Sequence, residues 1–168
     1  MVSFLAHSTL AGGAPSDDLP STPVEAIKKY CSLDLGGARL SSTTWSKVAP
    51  LIAWEDEPGW DAVVVVSGFR IGSPKETGSR ALIPVTFRVL GTLDGDGPFV
   101  RGSRLETINF ELARSETGWK VKKPVIPPHV SVSSISNNIR GLVETERGNS
   151  DRRRVLEATL KDLRAAQK

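Results

Sequence analysis

Apolar positions change their spacing along the chain, and each change marks a new kind of element. Val24, Ile27, Cys31 and Leu35 fall at i, i+3, i+7 and i+11, a stripe of helical period that Tyr30 flanks. Thr22 is placed to cap this helix, Pro23 to take its first position and Glu25 to close a capping box, while Gly36 and Gly37 end it. In "SSTTWSKVAPLI", Ser/Thr caps and a face of Trp45, Val48 and Ala49 predict a short second helix, which Pro50 stops. From Trp60 the period drops to two. Val63, Val65, Phe69 and Ile71 predict one face of a strand, and Ile83, Val85, Phe87 and Val89 one face of the next, where Pro84 marks an edge position or a bulge. Ile108, Phe110 and Leu112 alternate with Thr107, Asn109 and Glu111 in a third strand, and "WKVKKPV" follows the tight turn "SETG". These are three or four long antiparallel strands joined by hairpins, and the prolines of "PVIPPHV" end the sheet. Helical spacing returns at Val132, Ile135, Ile139, Leu142 and Val143, and again at Leu156, Leu160 and Leu163, where Asn149 to Asp151 are the cap candidates.

The pattern predicts an α+β fold. At 168 residues, the chain suits one domain with an appendage. Its organisation reads as a tail over 1–21, a main domain over 22–130 and a C-terminal helical extension over 131–168. The tail is rich in small residues, and "FLAHSTLAGGA" is similar to the end of a secretory leader without the basic and long apolar parts. Two compartments stay open on this evidence: periplasmic or secreted if the segment is a leader remnant, cytoplasmic if it is a disordered tail.

Charged residues at 24% and hydrophobic residues at 39% exclude a disordered chain, and no apolar run is long enough to span a membrane. Cys31 is the only cysteine, which excludes an intrachain disulfide and C-x-x-C sites, and its place on a helix stripe makes it a core residue. With only His7 and His129 present, neither in a supporting motif, no metal and no cofactor are expected. Residues 151–168 hold six basic and three acidic side chains, a surplus equal to the chain's net charge of +3. No aromatic residue interleaves them, so they read as a solvated helix face rather than a nucleic-acid contact.

The remaining chemistry lies in "AWEDEPGWDAVVVVSG", where Glu55, Asp56, Glu57 and Asp61 stand beside Trp54 and Trp60. One reading is a solvated turn, with Asp61 or Glu57 accepting backbone N–H groups at the strand entrance. The other is a carboxylate desolvated against a tryptophan, its pKa raised into the range of a general base. We favour the turn.

The succession of helix, short helix and curved strands, carried by "VEAIKKYCSLDLGG", "VTFRVLG", "TINFELAR" and "GWKV", resembles the nuclear transport factor 2-like superfamily, which includes ketosteroid isomerases, polyketide cyclases and many bacterial proteins. The resemblance covers roughly residues 22–126. It implies a cone-shaped, curved antiparallel sheet packed on N-terminal helices, and a ligand pocket drawing on Tyr30, Trp45, Trp54, Asp56, Trp60, Phe87 and Phe110. It also implies a homodimer formed through the outer sheet face. In the isomerase branch a tyrosine ahead of the helix-ending glycine donates to an oxyanion, the position of Tyr30, and an aspartate in an acidic-proline segment is the base, the position of Asp56. A third group, a protonated aspartate, would fall near Ile108 and is absent from the sequence there. The expected function is therefore a non-catalytic small-molecule-binding or protein-interaction module. The alternative is a cofactor-free isomerase, lyase or cyclase that acts on a small apolar carbonyl compound by acid-base catalysis. The expected partners are a small apolar ligand and a second copy, with no nucleic acid and no membrane span.

Overall fold

The capping box forms as the sequence predicts: the Glu25 N–H donates to Thr22 Oγ1 and the Thr22 N–H to Glu25 Oε2, both at 3.2 Å, and α1 (Pro23–Leu35) starts there. The computed structural model describes residues 19–167 apart from residues 96, 147 and 149. The leader-like segment, His7 and the cap candidate Asn149 lie outside the described residues. Leu19 packs on the core beneath α1, and the Pro20 carbonyl accepts the Trp119 N–H at 3.4 Å. The expected second helix is two pieces, α2 (Ser42–Trp45) and a 3-10 turn over Ala49–Leu51. The break falls over residues 46–48, where the Lys47 and Val48 N–H groups turn back to the Thr44 and Trp45 carbonyls at 3.1 and 2.8 Å, and Pro50 lies inside the second piece.

Six strands follow: β1 (Ala62–Ile71), β2 (Lys75–Thr77), β3 (Arg80–Asp94), β4 (Phe99–Ser115), β5 (Gly118–Lys123) and β6 (His129–Ser131). They form one strongly curled, half-barrel sheet in the order β5-β4-β3-β1-β6, with β2 beside β3 beyond the end of β1. Two helices, α3 (Val132–Thr145) and α4 (Ser150–Ala166), follow the sheet in the chain. The architecture is α+β, with helices at both ends. Among the described residues no helix is long and apolar enough to cross a membrane.

Four sequence expectations need correction. Val63, Val65, Phe69 and Ile71 do not share a face, because the register between β1 and β3 shifts at Val65/Val66 and again at Val66/Gly68. A bulge turns the side chains that follow it to the opposite face. Val65 therefore packs with α3 and α4, while Phe69 and Ile71 join the core beneath α1. In the same way β3 sends Ile83, Val85, Phe87 and Val89 to the α1 core, and beyond the shift at Val89/Gly91 it sends Leu93 to the other. Pro84 stands in an interior strand and not at an edge or a bulge. It falls in the break between β1, whose Ile71 pairs with Val85, and β2, whose Lys75 pairs with Leu82. The Pro84 carbonyl takes the Gly72 N–H at 2.7 Å across that break, so no ladder bond is asked of its nitrogen.

The prolines after β5 do not end the sheet. β6 resumes it in parallel with β1, so the boundary drawn at 130/131 falls inside a strand. The last two helices pack on the sheet: Leu156, Leu160 and Leu163 are buried with Ile135, Ile139, Phe99 and Val130 in the second core.

Gly91 lies where β3 leaves no room for a side chain against β4. A Cβ there would run into the Val100 carbonyl oxygen and come within 2.6 Å of the Phe99 ring. Gly91→Ala is expected to lower the unfolding free energy by about 1–3 kcal/mol in urea titration; a loss below about 0.5 kcal/mol would mean that the strands yield there.

Candidate functional site

The C-terminus of α1 carries a charge where its apolar stripe continues. Asp34 lies three residues after Cys31 and seven after Ile27, and like them it is buried. The helix ends at Gly36, Gly37 takes a positive φ of 82°, and the chain turns so that Arg39 folds back beneath the helix with a fully buried side chain. An arginine has five N–H donors and cannot shed its charge, so each donor needs an acceptor out of water.

All five find one. Nε and Nη2 donate to Glu57 Oε1 at 3.0 and 2.6 Å, and Nη2 also donates to the Ile126 carbonyl at 2.7 Å. Nη1 donates to the Tyr30 hydroxyl at 2.9 Å and to Asp34 Oδ2 at 3.4 Å. Asp34 Oδ2 in turn accepts the backbone N–H of His129 at 2.9 Å, and Glu57 Oε1 accepts Trp60 Nε1–H at 2.6 Å. The Tyr30 and Trp60 rings each lie 5.9 Å from the guanidinium carbon, and Trp54 and Phe110 meet Tyr30 edge-on. One guanidinium thereby joins α1, the acidic turn and the proline segment, and Asp34 adds β6.

Burial pushes Asp34 up to about 7, against the opposing pull of Arg39. Burial lowers the Arg39 pKa, but Asp34, Tyr30 and Glu57 outweigh that effect and hold it above its ordinary value. Burial also raises the Tyr30 hydroxyl and the Cys31 thiol, and Asp34 adds to both, so neither ionises at neutral pH. His129 is held below its ordinary pKa, chiefly by burial. Its Nδ1–H donates to the Pro127 carbonyl at 2.8 Å, and its ring lies 4.5 Å from that of Phe87. Asp34 Oδ1, Glu57 Oε2, His129 Nε2 and Trp54 Nε1 are buried without a hydrogen-bond partner.

The structure divides the residues singled out from the sequence. Tyr30, Trp54, Trp60 and Phe110 gather around Arg39, and Phe87 lies against His129. Trp45 and Asp56 instead line a surface hollow of about 290 Å³ with Leu40, Ser41, Ser42 and the edges of Arg39 and Glu57. Asp56 is exposed, and no hydrogen bond joins it to Tyr30. Of the four carboxylates in the acidic stretch, Glu55, Asp56 and Asp61 face solvent, as a turn requires. Glu57 does not. Its role is to balance Arg39 and not to accept backbone donors, and the Asp61 backbone carbonyl, not its side chain, receives the Gly95 N–H at 2.6 Å. The sequence reading missed Asp34, Arg39 and His129, and the one signal for them was a carboxylate inside an apolar stripe. Among the described residues no three metal-ligating side chains converge. Comparison with protein families, curated proteins and solved structures gives no match.

The raised Asp34 pKa has a consequence for stability. The folded value of about 7 stands above the unfolded value near 3.9, so its stabilising contribution is complete below pH 4 and is lost as pH rises through 7. Asp34→Asn is expected to remove a decline on the order of a few kcal/mol between pH 4 and pH 8, read from urea unfolding at each pH. Parallel wild-type and variant profiles would show that Asp34 does not titrate in that window.

Proposed function

We propose that the chain is a non-catalytic interaction module with the cone architecture of the nuclear transport factor 2-like fold, its curved sheet packed on the N-terminal helices, and that it works as a homodimer. The buried side chains beneath α1 support this reading. Tyr30, Ile83, Val85, Phe87, Phe110 and Leu112 are all buried in one cluster where that fold would hold a ligand. Tyr30, Asp34 and Glu57 are each engaged by Arg39, and Asp56 is exposed. A small ligand has a place in the surface hollow beside Trp45 and Asp56.

The alternative, acid-base chemistry on a small carbonyl compound, would use Asp56 as base and Tyr30 as oxyanion donor. It requires the Tyr30 hydroxyl to leave Arg39 and reach a substrate held by Asp56. The two readings separate in one experiment, which combines melts of Tyr30→Phe and Asp56→Asn with solvent-proton exchange on a panel of enolisable ketones. The module reading expects no exchange by the wild type. It also expects a loss of about 1–3 kcal/mol for Tyr30→Phe, which strands an Arg39 donor, and a change within about 0.5 kcal/mol for Asp56→Asn. Exchange that disappears in both variants would establish the enzyme instead.

A further inference from the structure

β4 is the longest strand and is paired on both sides only at its end. β5 covers Glu111 to Ser115, whereas the residues from Val100 to Asn109 have β3 on one side and, among the described residues, no backbone partner on the other. Such an edge offers a row of free N–H and C=O groups to any other strand. Protective devices are sparse: the stretch has no proline, and its departure from regular pairing with β3 is confined to the residues between Arg101 and Arg104. Val100 and Leu105 are 53% and 69% exposed, the latter on an otherwise regular ladder.

Charges at an edge ordinarily repel a second copy of the same edge. Here they have opposite signs at symmetric positions. Antiparallel pairing about a two-fold axis at Leu105 sets Leu105 against itself, Arg104 against Glu106 of the other copy in two equivalent pairs, and Ser103 against Thr107 twice. Within one chain Arg104 and Glu106 already share a strand face, with Arg104 Nη2 2.7 Å from Glu106 Oε2, so they are oriented for the exchange. A hollow of about 260 Å³ lined by Arg88, Ser103, Arg104 and Leu105 leaves room beside the axis for the incoming leucine. The free stretch also runs about equally far on either side of Leu105, which keeps both copies of β5 clear of the ladder.

We propose that β4 joins the same edge of a second copy, antiparallel about Leu105, to make one sheet continuous across a homodimer. This rests on the homodimer reading above and replaces the outer sheet face with a strand edge as its contact. Sedimentation equilibrium of the full chain at micromolar concentration reads association, and engineered cysteines read the axis. Directly opposed residues have α-carbons about 4.5–5.5 Å apart, within disulfide range. Leu105→Cys is therefore expected to give a covalent dimer on mild oxidation, while Leu82→Cys, exposed on the outer face of the neighbouring strand, gives none. Arg104→Glu puts four acidic side chains around the axis and should raise the dissociation constant about tenfold; adding Glu106→Arg should restore it. A dimer that ignores the charge reversal and crosslinks at Leu82 instead of Leu105 would overturn the edge pairing and leave the homodimer standing. A chain that stays monomeric at high concentration would overturn both.

Discussion

A guanidinium without water must place five N–H donors, and the arrangement of the site follows from that demand. Arg39 draws on a hydroxyl and a carboxylate of α1, a carboxylate of the acidic turn and a backbone carbonyl between β5 and β6. These segments also meet in the core, where Tyr30 is buried and Trp54 and Ile126 pack against it. The cation sets where the acidic turn enters β1, how the proline segment leaves β5, and where β6 meets Asp34. Buried ion pairs add little net stability over an apolar core of the same shape, but removal of one member is costly, so such a cluster specifies an arrangement more than it strengthens it.

The second constraint is the pair of register shifts in the centre of the sheet. They let one curled sheet serve two cores, with α1 on the face of Val64, Val66 and Phe87 and with α3 and α4 on the face of Val65, Leu93 and Phe99. Ser134 links the two sides, its hydroxyl donating to the Leu35 carbonyl at 3.0 Å at the end of α1. The C-terminal helices thereby cover part of one sheet face, and among the described residues β4 from Val100 to Asn109 keeps a backbone partner on one side only.

What could be read from the sequence was local. The capping box of α1, the leucine stripe of α4 and the alternation of β4 each depend on residues a few positions apart, and each appears as read. The bulges could not be read, because "VVVVSGF" is apolar on both faces and a run of that kind carries no phase. β6 has three residues, too few to show a period. The tryptophans and Tyr30 led to the right neighbourhood, yet the residue at its centre was invisible: Arg39 meets Glu57 and Ile126 at separations of 18 and 87 residues. Only Asp34, a carboxylate on a buried stripe, signalled that a polar partner for it lay elsewhere in the chain.

The central claim is that Arg39 ties these segments together, and urea unfolding of Arg39→Met tests it most directly. Methionine keeps much of the side-chain volume and leaves Asp34, Glu57 and the Ile126 carbonyl without their shared donor. The expected loss is about 3–5 kcal/mol of unfolding free energy. A variant within about 0.5 kcal/mol of wild type would contradict the claim and reduce the cluster to a by-product of packing.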